Sequence, residues 1–153
     1  MKTIESFKVN HDKLEKGMYI SRIDGDVITY DIRMKKPNGG DYLDMAAAHT
    51  FEHLFATYAR NTEYSDSIIY VGPMGCRTGF YFLVRDNISQ NQALDIVLKS
   101  FEFIRDFEGE IPGSTRIECG NYLYHNLEGA KAVAVDMLKV LSDWSEEKMI
   151  YEK

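Results

Sequence analysis

Met45 to Arg60 contain neither proline nor glycine, and inside them two histidines stand four residues apart, His49-Thr50-Phe51-Glu52-His53. The flanks, Met45 to Ala48 and Leu54 to Arg60, are rich in good helix formers, so one helix is predicted through the pentapeptide. At 3.6 residues per turn His49 and His53 share a face. Neutral imidazoles one turn apart can grip one first-row metal ion, with Glu52 beside them to shuttle protons without ligating. The order His-x-x-Glu-His is the inverted zinc-binding signature. The same spacing also arises in helices whose histidines only cap or pack, so a metal site requires a further donor elsewhere in the chain.

The 153 residues are 44% hydrophobic and 27% charged, which predicts one globular domain, residues 1–153, with a sizeable core. A formal charge of -6 with no long basic run argues against a nucleic-acid partner and favours small molecules or proteins. No apolar run approaches the roughly 20 residues that span a membrane, and Met1 to Ser6 carry no signal-peptide apolar core, so a cytoplasmic protein is expected. The two cysteines, Cys76 and Cys119, are then not expected to pair in a reducing compartment.

Ser6 to Val9 alternates weakly and predicts a first strand; Asp26 to Met34 alternates more clearly and predicts another, ended by Pro37-Asn38-Gly39-Gly40. Ser67 to Val71 and Thr78 to Val84 predict two strands joined through Gly72-Pro73-Met74-Gly75-Cys76. From the candidate N-cap Ser89, the residues Ala93, Ile96, Val97, Ser100, Phe101 and Ile104 recur at helical spacing. Thr115 to Glu118 is read as a short strand, and Leu127 through Leu141, extended to Trp144, as a last helix. The order predicts an α+β fold: a largely antiparallel sheet covered by helices, with the histidine helix beside it.

Cys76 lies in Gly75-Cys76-Arg77-Thr78-Gly79, where glycines permit a bend that exposes the thiol and Arg77 would favour the thiolate, the form that acts as nucleophile or base. A purely structural cysteine in a turn remains the alternative. Cys119 precedes Gly120 in a loop-like stretch before the last helix; added to His49 and His53, it gives a His, His, Cys set with a fourth position for water or substrate. His125 competes for the role, although a histidine near a helix start more commonly bonds the backbone.

These segments carry a resemblance. His49-Thr50-Phe51-Glu52-His53-Leu54, Gly75-Cys76-Arg77-Thr78-Gly79-Phe80-Tyr81 and Glu118-Cys119-Gly120-Asn121-Tyr122 resemble, in order and spacing, three signature segments of S-ribosylhomocysteine lyase, the bacterial enzyme of autoinducer-2 synthesis. Ser6 to His11, Asp31 to Arg33 and Pro37-Asn38 are similar to its N-terminal segments. The resemblance implies a homodimer with active sites near the subunit interface, each holding Fe2+ that Zn2+ or Co2+ can replace. It implies His49, His53 and Cys119 as metal ligands, Glu52 and Cys76 as the acid/base pair, and Ser6, His11 and Arg33 as substrate contacts. The implied reaction cleaves S-ribosylhomocysteine to L-homocysteine and 4,5-dihydroxy-2,3-pentanedione by two metal-assisted carbonyl shifts and a β-elimination. The resemblance implies a role in quorum sensing or in recycling a by-product of the methyl cycle, and the sequence does not choose between them.

The match departs at Tyr70 and Gly72, where the family often has an aspartate and a serine, and at Asn10, which replaces a common aspartate. Two rival readings stand beside the lyase. An inverted-motif metallopeptidase would use Glu52 to activate water, but usually takes a downstream glutamate as third ligand. A non-catalytic metal or redox-sensing module would close the site with four protein ligands, His125 supplying the fourth.

Overall fold

The computed structural model describes residues 1–152. Four strands, β1 (Gly17–Asp24), β2 (Val27–Arg33), β3 (Ile68–Pro73) and β4 (Gly79–Arg85), form one antiparallel sheet in the order β1-β2-β4-β3. Three helices, α1 (Met45–Ala59), α2 (Gln90–Asp106) and α3 (Leu127–Leu141), pack together, and the core lies between them and one sheet face. The α+β class read from the sequence is the class observed.

Alternation along β2 places Tyr30 and Ile32 in the core and Asp31 and Arg33 on the opposite, outer face, because successive side chains of a strand point to opposite sides. The register carries this across the sheet. Tyr30 pairs with Phe82 and Ile32 with Phe80, while Asp31 pairs with Tyr19 on one side and Tyr81 on the other. Gly79, opposite Arg33, has to be a glycine, since a Cβ there would overlap the Ile32 carbonyl.

Each helix begins on a side chain that accepts an otherwise unpaired backbone N–H. Asp44 takes Ala47 N–H and Asn126 takes Gly129 N–H. Ser89 and Gln92 form a reciprocal capping box. Helix α1 buries Phe51, Leu54 and Phe55 against the sheet and α2, with Phe55 and Phe101 rings edge to face at 5.3 Å. Truncating Phe55 to alanine would cost about 3–5 kcal/mol by the usual cavity penalty. His49, Glu52 and His53 lie on the flank left half-exposed by that packing.

Three sequence expectations fail for local reasons. Glu5–Phe7 form a 3-10 turn, not a strand; the first strand is β1. Thr115 to Glu118 is a turn: the Thr115 carbonyl accepts from the Glu118 and Cys119 amides and its hydroxyl bonds the Glu118 carboxylate at 2.6 Å. Trp144 lies beyond α3, where its ring covers Gly17 and its Nε1 donates to the Met18 carbonyl at 2.8 Å. Among the described residues, no helix is long and apolar enough to cross a membrane.

Candidate metal and acid/base site

His49 and His53 project from one face of α1, as their spacing predicts, and Cys119 meets them from the loop before α3. Cys119 Sγ is 3.4 Å from His49 Nε2 and 3.9 Å from His53 Nε2. Donors held about 2.0–2.3 Å from one tetrahedral ion stand about 3.5 Å apart, so these three groups fit a metal. The other ring nitrogens are tied off. His49 Nδ1 lies 2.6 Å from the Tyr124 carbonyl and His53 Nδ1 lies 2.8 Å from the Pro112 carbonyl. Since a carbonyl only accepts, each Nδ1 carries the proton and each Nε2 presents a lone pair toward the thiol. Gly113 completes the seat under His53: its φ is +70°, and a Cβ there would crowd His53 Nδ1 at 3.2 Å.

His125, the competing donor, joins this cluster. Its ring stacks on His49 with centroids 4.0 Å apart, and its donor atom lies with those of His49, His53 and Cys119 within a 4.8 Å span. Its Nδ1 is 3.0 Å from Thr50 Oγ1, a side chain and not the backbone partner expected. Thr50 donates its own proton to the Ala46 carbonyl and accepts from the Asn126 amide, so the His125 contact also places a proton on Nδ1. His125 Nε2 is then buried without a hydrogen-bond partner. Burial first, then the neighbouring His49 and His53, hold the His125 pKa below the ordinary histidine value. No local pattern in the sequence links His125 to Thr50, since 75 residues separate them.

Glu52 and His49 line a cavity of about 480 Å³ with Met45, Pro73, Gly75 and Tyr124. The exposed Cys76 thiol sits on the neighbouring turn, 3.0 Å from Thr78 Oγ1. This turn closes with Arg77 N–H donating to the Met74 carbonyl, and Arg77 itself adopts a positive φ of 64°. The left-handed position expected of a flanking glycine thus falls on Arg77. Its guanidinium donates to the Leu43 carbonyl at 2.9 Å. The cation that reaches the thiol's hydrogen-bond partner is Arg33, whose Nη1 donates to Thr78 Oγ1 at 2.8 Å.

Arg33 is 3% exposed and forms a two-pronged ion pair with Asp31, at 3.1 Å from Nε and 2.6 Å from Nη2. Burial opposes its charge, but Asp31 outweighs that and raises the arginine pKa further. Ser6 lies elsewhere on the outer face, in a groove with Ser21, Tyr70 and Tyr81. His11 bonds the Val9 carbonyl at 2.8 Å. The structure therefore gathers His49, His53, Cys119 and Glu52 in one region, places Cys76 and Arg33 at the edge of the outer face, and sets Ser6 and His11 apart from the metal cluster. Tyr70 and Gly72 share that outer face, and a Cβ on residue 72 would overlap the Tyr70 hydroxyl.

The family model described as S-Ribosylhomocysteinase (LuxS) matches residues 4–148. Among curated relatives, an S-ribosylhomocysteine lyase of Porphyromonas gingivalis is 48% identical, covering 99% of each chain. One of Phocaeicola vulgatus is 44% identical, covering 99% of this chain and 98% of its own. One of Clostridium acetobutylicum is 42% identical, covering 99% of both.

Proposed function

The chain belongs to the S-ribosylhomocysteinase (LuxS) family, a family of carbon–sulfur lyases, and on that premise we propose that it cleaves S-ribosyl-L-homocysteine to L-homocysteine and 4,5-dihydroxy-2,3-pentanedione. The observation that carries this reading is the set of imidazoles with protonated Nδ1 and free Nε2 facing Cys119, with Glu52 beside them. His49, His53 and Cys119 would hold the metal, Fe2+ in this reading, with Zn2+ or Co2+ able to replace it. When bound, the ion supplies Lewis acidity that makes protons next to the sugar's oxygen-bearing carbons easier to remove.

Glu52 and Cys76 carry the protons. A thioether at C5 leaves by β-elimination only when a carbonyl stands at C3, so the C1 carbonyl has to move twice. Each shift takes a proton from the carbon next to the carbonyl, moves the proton of that carbon's hydroxyl, and returns a proton to the former carbonyl carbon. Loss of the C4 proton then expels homocysteine sulfur from C5, the sulfur takes up a proton, and the C4 enol left behind gains a proton at C5 and loses its hydroxyl proton to give the dione. Glu52 lines the cavity beside the cluster, and Cys76 is solvent-accessible with a hydroxyl partner, so both can exchange protons with a bound sugar. Ser6, His11 and Arg33 are assigned to substrate, Arg33 through the charge it brings to the edge of the site.

A homodimer with active sites near its interface is part of the same proposal. The metal cluster and Ser6 occupy different surfaces of one chain, so a second copy is needed to bring both to one substrate. Ile117 (98% exposed) and Leu123 (79%) flank Cys119, and Phe7 (73%) follows Ser6, apolar surface of the kind a partner subunit covers. A cytoplasmic location and a role in autoinducer production and methyl-cycle recycling complete the reading.

Free His125 Nε2 favours one second reading, a closed four-ligand metal or redox module. Anaerobic, iron-loaded protein incubated with S-ribosylhomocysteine decides between them, with Glu52→Ala as the blank. Metal-dependent release of homocysteine thiol, absent from the blank, is the expected result. No release from fully metallated protein with reduced Cys76 would overturn the lyase reading in favour of the closed module. The peptidase rival loses its basis with the family membership.

A further inference from the structure

A continuous line of hydrogen bonds runs from the C-terminal tail to the Cys76 thiol. Tyr151 Oη donates to Asp31 Oδ2 at 2.6 Å. Asp31 receives both prongs of Arg33, Arg33 Nη1 donates to Thr78 Oγ1, and Thr78 Oγ1 lies 3.0 Å from Cys76 Sγ. The middle of this line is shut away from water, with Asp31 1% and Arg33 and Thr78 each 3% exposed. Tyr151 is seated by stacking on Tyr19, ring centroids 5.3 Å apart and planes at 23°. Burial and then Asp31 push its phenol well above the ordinary tyrosine value, so at neutral pH it is a hydrogen-bond donor.

We propose that Tyr151 is a positioning residue for Cys76, acting through Asp31, Arg33 and Thr78. The proposal rests on Cys76 being the reactive thiol of the lyase reading. A carboxylate held only by the Arg33 fork concentrates its charge on that cation and can turn with it. The Tyr151 bond fixes the carboxylate from a third direction and draws part of its charge away from Arg33. More of the guanidinium's positive potential then falls on the Thr78 hydroxyl, which is held to face the thiol. Nothing in the sequence pattern around Tyr151 announced this, since Asp31 and Tyr151 are 120 residues apart.

Tyr151→Phe keeps the ring on Tyr19 and removes only the donor. Tyr30→Phe is the comparator, because Tyr30 is fully buried on the other face of β2 and its hydroxyl has no partner. In full-length, metal-loaded protein, the rate of Cys76 alkylation by iodoacetamide at pH 7 is followed by mass spectrometry of the modified peptide. Turnover of S-ribosylhomocysteine is measured alongside. Tyr151→Phe is expected to slow alkylation by about three- to tenfold, the scale of one charge-assisted hydrogen bond partly transmitted. It should lower kcat with little change in KM, while Tyr30→Phe leaves both rates at wild type. Wild-type alkylation in Tyr151→Phe, or equal slowing in both variants, overturns the proposal. Absence of turnover in the wild type would instead sink the lyase reading, and the alkylation rates still decide the role of Tyr151.

Discussion

The metal end and the thiol end of this site are held by different means. At the metal end, His49 and His53 are aimed by main-chain carbonyls of Tyr124 and Pro112, which any residue at those positions supplies. At the thiol end, Cys76 is aimed by a buried line of side chains, Thr78, Arg33 and Asp31, each of which only a few residue types could replace. The metal end should therefore tolerate change at most positions other than the ligands and Gly113, where a Cβ would press on His53. The thiol end should fail at several positions beyond the thiol itself.

The largest test of that contrast sets Cys119→Ala against Tyr124→Ala. The first should lose bound metal and turnover together, read by elemental analysis and homocysteine release. The second removes a side chain while keeping the carbonyl under His49, and should keep metal near the wild-type level. Loss of metal in Tyr124→Ala would show that the side chain, not the carbonyl, seats the histidine.

At the thiol end, Arg33→Met leaves the Asp31 charge buried without its partner, an effect of about 3–5 kcal/mol on stability. Urea unfolding should show it. Arg33→Met combined with Asp31→Leu should regain a large part of that loss while Cys76 stays slow to alkylate, since an apolar pair restores packing but not the cation. A double variant as unstable as the single one would mean that the pair shapes the outer face beyond its charges.

The contrast also explains what could be read from the sequence. Helix α1 was legible because good helix formers run there without proline or glycine, and α2 and α3 because apolar residues repeat at helical spacing, α2 behind its cap Ser89. The candidate metal cluster could be read in part because chemistry restricts such donors to His and Cys in few arrangements, and the fold brings His49, His53 and Cys119 together. What was hidden depended on long-range contacts. Strand β1 begins at Gly17, whose place is set by Trp144 from beyond α3. Arg33, and not the adjacent Arg77, serves the thiol because β2 and the Cys76 turn meet only in the folded sheet. His125 looked like a helix-start residue until Thr50 turned its ring into the cluster.

A smaller effect, on the core face of β2, is read through pH. Burial, with a contribution from Glu146, raises the Tyr30 phenol from its ordinary 10.0 to about 12. The folded state then binds the phenolic proton more tightly than the unfolded chain does. Its stabilising contribution is complete below pH 10 and is lost as pH rises toward 12. Tyr30→Phe should flatten the fall in unfolding free energy over that window, measured by urea titration at stepped pH. A variant whose alkaline loss matches wild type would place the titrating group elsewhere.

The smallest expected effect lies at Tyr70 and Gly72, which the fold couples. A side chain on residue 72 would collide with the Tyr70 hydroxyl end, so the glycine makes room for the tyrosine. Tyr70 is half-exposed and can swing outward, which keeps the conflict mild, about 1 kcal/mol or less. Gly72→Ser should therefore lower stability slightly in the presence of Tyr70 and not at all in a Tyr70→Asp background. A double-mutant cycle by thermal unfolding measures that difference directly. Coupling between the two substitutions would show that positions 70 and 72 act as one unit of the outer face. Additivity would mean that each altered the outer face on its own.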